Sequence, residues 1–137
     1  MKRIVHILLV EDDNLDAMDL KRSLDKIGLL YMLEIAKNGE EAIRILEKRH
    51  TEASTSTDLV ILDLNMPKMN GFEFLQILRG DARWRDTKVF VLTTSSESED
   101  RRAASEYGIS GYIVKPLKLN NVGSIDAFNL MIDLMNM

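Results

Sequence analysis

Two hydrophobic rhythms alternate along the chain. Short, nearly unbroken apolar runs cover residues 4–10, 32–36, 58–64, 88–94 and 111–115, each bounded by polar or turn-forming residues. Runs of that length and β-branched content predict buried strands. Between them the apolar residues fall three and four apart. Ala17, Leu20, Leu24 and Ile27 predict a helix from Asn14, with Gly28 as its stop. Asn38 with Glu41 three residues on predicts a capped second helix whose inward face carries Ala42, Ile45 and Leu46. Phe72, Phe74, Leu75 and Leu78 predict a third helix ending towards Gly80, and residues 95–108 a fourth. A fifth runs from about Asn121. The polar stretch "HTEASTSTD" from His50 reads as a surface loop, and "NMPKMNG" as a turn. Strand and helix alternate five times, which predicts an α/β fold with a parallel sheet covered on both faces.

Composition narrows the class without changing that picture. The chain has 137 residues, enough for one compact domain, and no internal repeat or second-domain linker interrupts it. It is 45% hydrophobic and 29% charged, as expected of a soluble globular protein. The longest apolar run is too short for a membrane span, and no signal-peptide pattern opens the chain, so a cytoplasmic protein without membrane contact is expected. The absence of cysteine removes disulfides, thiolate metal sites and cysteine nucleophiles. A net charge of −4 leaves no basic footprint for nucleic acid.

In an open doubly wound sheet, ligands bind beyond the carboxyl ends of the strands. At those ends stand Glu11, Asp12 and Asp13 after the first strand, Asp63 after the third, Thr93 and Thr94 after the fourth, and Lys115 after the fifth. Three consecutive acids repel one another. They either spread into water or hold a cation, and carboxylates with no soft donor suit Mg²⁺. Asp63 could then act as a nucleophile towards phosphorus, with Lys115 and Thr93 supplying the ammonium and hydroxyl that a transferred phosphoryl group requires. Asp13 reads as a helix cap instead. Trp84 reads as half-buried packing, His6 and His50 as structural or exposed, and the eight methionines as core filling.

The blocks "ILLVEDD", "LVILDLNMPKMNGFEFL", "VFVLTTS" and "GYIVKP" resemble, in order and over nearly the whole chain, the receiver domain of two-component response regulators. The resemblance implies a flavodoxin-like (βα)5 fold with strand order 2-1-3-4-5, and a single receiver over residues 1–137 with no output domain. It implies Asp63 as phosphoacceptor, and Glu11, Asp12, Asp63 and the backbone carbonyl of Asn65 as the Mg²⁺ site. Thr93 matches the switch hydroxyl, Lys115 the phosphate-contacting lysine and Tyr112 the aromatic switch position, while Asn65 and Ser95 flank the water path that sets phosphoryl lifetime. Chemotaxis regulators and the small regulators paired with bacterial phytochromes are the nearest types. The implied partners are a sensor histidine kinase, phytochrome-type in the second case, or a phosphotransfer protein. A receiver of this kind is a signalling domain that catalyses only its own phosphorylation and dephosphorylation. Two other readings of the same residues are a receiver-like module acting without phosphorylation and a Mg²⁺-dependent phosphohydrolase; Asn65, where a second acid is expected, disfavours the latter. The last helix carries apolar residues on more than one face. This suggests a homodimer or target surface built from the fourth helix, fifth strand and fifth helix.

Overall fold

A computed structural model of the chain describes residues 4–26, 30–52, 57–64, 71–93, 102 and 105–114, with the backbone alone at positions 52, 93 and 114. Its elements are β1 (Val5–Val10), α1 (Asn14–Lys26), β2 (Tyr31–Ala36), α2 (Gly39–Glu52), β3 (Leu59–Asp63), α3 (Gly71–Gly80), β4 (Lys88–Thr93) and β5 (Gly111–Val114). All five strands are parallel, in the order β2-β1-β3-β4-β5. The fold is therefore the doubly wound α/β arrangement expected from the alternation. The fourth and fifth helices, and with them most of the expected dimer surface, lie outside the described residues except for helical Arg102 and Ser105.

The two-residue period of the strands divides the core into two layers. Val5, Ile7, Leu9, Leu59, Ile61, Phe90, Leu92 and Ile113 meet Ala17, Leu20 and Leu24 of α1 on one face. Leu8, Val10, Val60, Leu62, Val89 and Val91 meet Ala42 and Leu46 of α2 and Phe74, Leu75 and Leu78 of α3 on the other. Away from their ends the central strands are apolar at nearly every position, His6 of β1 excepted, because consecutive residues belong to different layers. β2 is an edge strand, and only its last residue, Ala36, is fully buried.

Local chemistry sets the helix ends. Asp13 Oδ1 accepts hydrogen bonds from Leu15 N (2.8 Å) and Asp16 N (3.1 Å), so Asp13 caps α1 as expected. Asn38 Oδ1 accepts one from Glu41 N at 2.8 Å and caps α2. α2 extends further than its polarity suggests: His50, Thr51 and Glu52, expected in a loop, are helical. Thr51 Oγ1 donates to the carbonyls of Glu47 (3.0 Å) and Lys48 (3.3 Å), bonding back onto the preceding turn. The polar residues there reflect exposure, not a break in the backbone. Two further expectations change. Trp84 is buried, not half-buried, with the Arg83 guanidinium 4.1 Å from its ring centroid. Both described methionines, Met18 and Met32, are exposed rather than core filling.

Candidate functional site

The acidic site follows from strand register. β1 and β3 are neighbours, with Val10 opposite Leu62. The next residues, Glu11 and Asp63, therefore stand at the same level on adjacent tracks at the carboxyl ends of the two strands. Glu11 N donates to Ala36 O at 2.9 Å, which holds the turn after β1 against the end of β2. The result brings one carboxylate oxygen each from Glu11, Asp12 and Asp63 within 4.8 Å of one another. Glu11 and Asp63 are buried, whereas Asp12 is exposed. Glu11 Oε2 also lies 3.4 Å from Asp13 N, which donates to it. Asp13 itself turns to the helix amides and is not part of the cluster.

At such a separation two ionised carboxylates repel by roughly 3–4 kcal/mol at an effective dielectric constant of about 20. Three of them, two out of water, form a site that a cation would relieve. The donor set is all oxygen, with no histidine or cysteine, which fits a hard divalent ion. One exposed carboxylate beside two buried ones also leaves a side open for the waters that Mg²⁺ retains. The acids therefore fit the expected metal.

The other expected residues divide into those described and those not. Asp63 pairs with Leu92 of β4, so Thr93 stands one position further along the next strand and closes β4 opposite Val114. Thr93 is thus at a strand end beside the acids, but only its backbone is described. Tyr112 lies on β5 opposite Val91, half-buried and packed against the α2–α3 layer. Lys115, Asn65 and Ser95 lie outside the described residues; Lys115 follows directly on Val114, and Asn65 falls two positions after Asp63.

Sequence reading did not single out Gly71. A Cβ at this position would stand 2.6 Å from Leu64 Cα and 3.1 Å from Asp63 O. Gly71 N donates to Leu64 O at 3.1 Å, closing the segment between β3 and α3. Only glycine lets the start of α3 approach the acidic strand end that closely. The signal was the "NG" pair that ends the "NMPKMNG" turn.

The family model for the response regulator receiver domain matches residues 7–125. The chain belongs to that family. Among curated relatives, the probable methanogenesis regulatory protein FilR2 of Methanothrix harundinacea is 34% identical over 116 residues, covering 85% of this chain and 75% of the relative. Among solved structures, a two-component response regulator from Legionella pneumophila is 40% identical, with a TM-score of 0.78 over 97% of this chain and 99% of that one. The bacteriophytochrome response regulator RtBRR is 29% identical, with a TM-score of 0.81 over 94% and 78% of the two chains. The strand order of the receiver fold and the acidic pocket agree with these matches. This receiver is accordingly a phosphoacceptor signalling domain, and it works with a histidine kinase or a phosphotransfer partner. No helix among the described residues is long and apolar enough to cross a membrane.

Proposed function

We propose that the receiver takes a phosphoryl group on Asp63 and holds Mg²⁺ through Glu11, Asp12, Asp63 and the carbonyl of Asn65. The observation that carries this reading is the meeting of three carboxylates, from the ends of two adjacent strands, within 4.8 Å. Bound there, Mg²⁺ supplies the positive charge that lets a carboxylate approach an anionic phosphoryl group. A carboxylate oxygen of Asp63 attacks the phosphorus of a phosphohistidine. The P–N bond breaks, its electron pair leaves with the imidazole, and an aspartyl phosphate forms. Burial of Asp63 favours this role, since a shielded carboxylate is less solvated and its acyl phosphate meets less water.

Thr93 and Lys115 are proposed to contact the phosphoryl oxygens. Their differential contacts between the free and phosphorylated states would shift the balance of conformations. Tyr112, half-buried one strand over, is the proposed aromatic reporter of that shift. Asn65 and Ser95 are proposed to set the lifetime of the acyl phosphate. The likeness to RtBRR supports a phytochrome-type histidine kinase as the donor. On this reading the protein turns over no free phosphoester.

The test is incubation with acetyl phosphate, with and without Mg²⁺, followed by intact-mass measurement of the protein and of Asp63→Asn. A Mg²⁺-dependent phosphoryl adduct on the parent and none on the variant is the expected result. An adduct of equal yield on Asp63→Asn would refute Asp63 as acceptor. No adduct on either, with no detectable Mg²⁺ binding, would leave an interaction module that acts without phosphorylation.

A further inference from the structure

The open edge of the sheet at β2 is built unlike a protected edge. Edge strands expose unpaired backbone groups and are ordinarily blunted by lysine, proline or a bulge. β2 reads Tyr-Met-Leu-Glu-Ile-Ala, with none of these within it. Its single charge, Glu34, is taken by Arg49 of α2 in an ion pair of 2.5 Å. Met32 and Ile35 are exposed at 56% and 42%, and Leu30, just before the strand, is also exposed.

The direction of the free backbone groups follows from the pairing. Leu30 O accepts from Val5 N, and Ala36 O from Glu11 N. Even-numbered residues of β2 therefore direct their backbone groups at β1. By strand alternation, Tyr31, Leu33 and Ile35 direct theirs away from the sheet, where no strand among the described residues meets them. The same three residues place their side chains in one row on the α1 side, where Tyr31 and Leu33 pack on the core and Tyr31 Oη donates to Asp25.

We propose that this edge pairs with β2 of a second copy of the chain, antiparallel, about a two-fold axis through Leu33. A two-fold axis perpendicular to the sheet keeps each side chain on its own face, so paired residue numbers must sum to an even value. Centring on Leu33 sets Leu33 against Leu33 and Tyr31 against Ile35, each a hydrogen-bonded pair that uses the outward groups of all three residues. On the other face Met32 meets Glu34, so no like charges oppose. Centring one residue later would put Glu34 against Glu34 and leave Tyr31 unpaired. Centring one residue earlier, on Met32, would leave Ile35 without a partner in the strand. Of these registers the Leu33 one alone pairs all three outward residues, the self-complementarity an isologous interface requires. The two five-stranded sheets become one continuous sheet, and the axis sends the two acidic clusters to opposite ends of it, both open to a phosphoryl donor. This edge is the one opposite β5.

The chain contains no cysteine, so single thiols test the register directly. In the proposed pair the two Leu33 Cα atoms stand about 5.5 Å apart, within the span of a disulfide. The two Ile35 positions are displaced by four residues, about 13 Å along the strands. Mild oxidation should therefore link Leu33→Cys into a covalent dimer and leave Ile35→Cys monomeric. Sedimentation of the parent across micromolar to millimolar concentrations should show reversible dimerisation. Ile35→Lys should raise the dissociation constant at least about tenfold, equivalent to about 1.4 kcal/mol, while its acetyl phosphate labelling, and its melting temperature in dilute solution where the parent is monomeric, stay close to the parent's. A parent that stays monomeric throughout overturns the proposal. So does a dimer indifferent to Ile35→Lys, or equal cross-linking of the two cysteine variants; either would place self-association, or a foreign partner strand, elsewhere.

Discussion

At the carboxyl ends of β1 and β3 three carboxylates of one sign stand together; at the amino ends of β4 and β5 one guanidinium is surrounded by acceptors. Arg79, in the last turn of α3, donates through Nε to Tyr107 O (2.7 Å) and through Nη1 to Arg85 O (2.9 Å) and Thr87 O (2.7 Å). Longer contacts reach Trp84 O (3.4 Å) and Gly108 O (3.3 Å). It ties α3, the segment leading into β4 and the segment leading into β5 into one knot. Burial pulls the Arg79 guanidinium below its ordinary range, and Asp86 partly opposes this. It remains a cation, as arginine does in proteins. The two ends of the sheet teach different lessons about polar groups. At the amino ends a charge is satisfied by the fold itself and holds it together. At the carboxyl ends three carboxylates of like sign are drawn within 4.8 Å of one another, an arrangement that suits the proposed metal and phosphoryl group.

The comparison predicts opposite mutational signs. Arg79→Ala removes the donor from a set of main-chain carbonyls, several of them shielded, and should destabilise the fold by about 2–4 kcal/mol in urea unfolding. Arg79→Lys should recover little, because an ammonium cannot match a planar fork serving three segments. If Arg79→Ala cost nothing, the knot would be a surface decoration, and the contrast between the two ends would fail.

The next effect belongs to the acidic end. Mg²⁺ at a hundredfold excess over its dissociation constant should stabilise the protein by about 2.7 kcal/mol if it binds the native state alone. Asp12→Asn should lose most of that gain. In chelator, where no metal offsets the repulsion, the same variant should be more stable than the parent by up to about 1 kcal/mol, a modest figure because Asp12 is exposed and screened. A thermal melt in chelator and in Mg²⁺ measures both. A parent unaffected by Mg²⁺ would remove the metal from the proposed site.

The two ends also differ in how far sequence reveals them. Glu11, Asp12 and Asp63 were legible because they stand at or within two residues of the carboxyl end of an apolar run, so the strand pattern alone brings them to one edge of the sheet. The cap role of Asp13 was legible for the same local reason. Arg79 was not, since its partners are backbone carbonyls 5 to 29 positions away, and a carbonyl has no residue type. The extra turn of α2 was hidden because polarity marks exposure and not conformation; exposed Met18 and Met32 show the converse, apolar residues outside the core. Gly71 lies between these cases. Its turn was legible, but the need for glycine depends on how near Leu64 comes.

The smallest predicted effect sharpens the amino end. Beside the Arg79 knot, Asp81 accepts from the Arg83 side chain through Oδ1 (3.0 Å) and Oδ2 (2.7 Å), and from Arg83 N at 2.9 Å. The Arg83 side chain first, and its backbone amide second, lower the Asp81 carboxyl from 3.8 to about 2. A carboxyl with a depressed folded value contributes stability that is fully present above its unfolded value. That contribution is lost as the pH falls from about 4 through about 2. Asp81→Asn retains an oxygen for the Arg83 amide but has no charge to titrate. The difference in urea midpoint between parent and variant should therefore be constant from neutral pH down to about 4 and shrink as the pH falls through about 2. The pair is exposed, so the difference should be small and should fade with added salt. A difference that instead grew on acidification would mean that the carboxylate is a burden to this end of the sheet, as the clustered carboxylates are at the other.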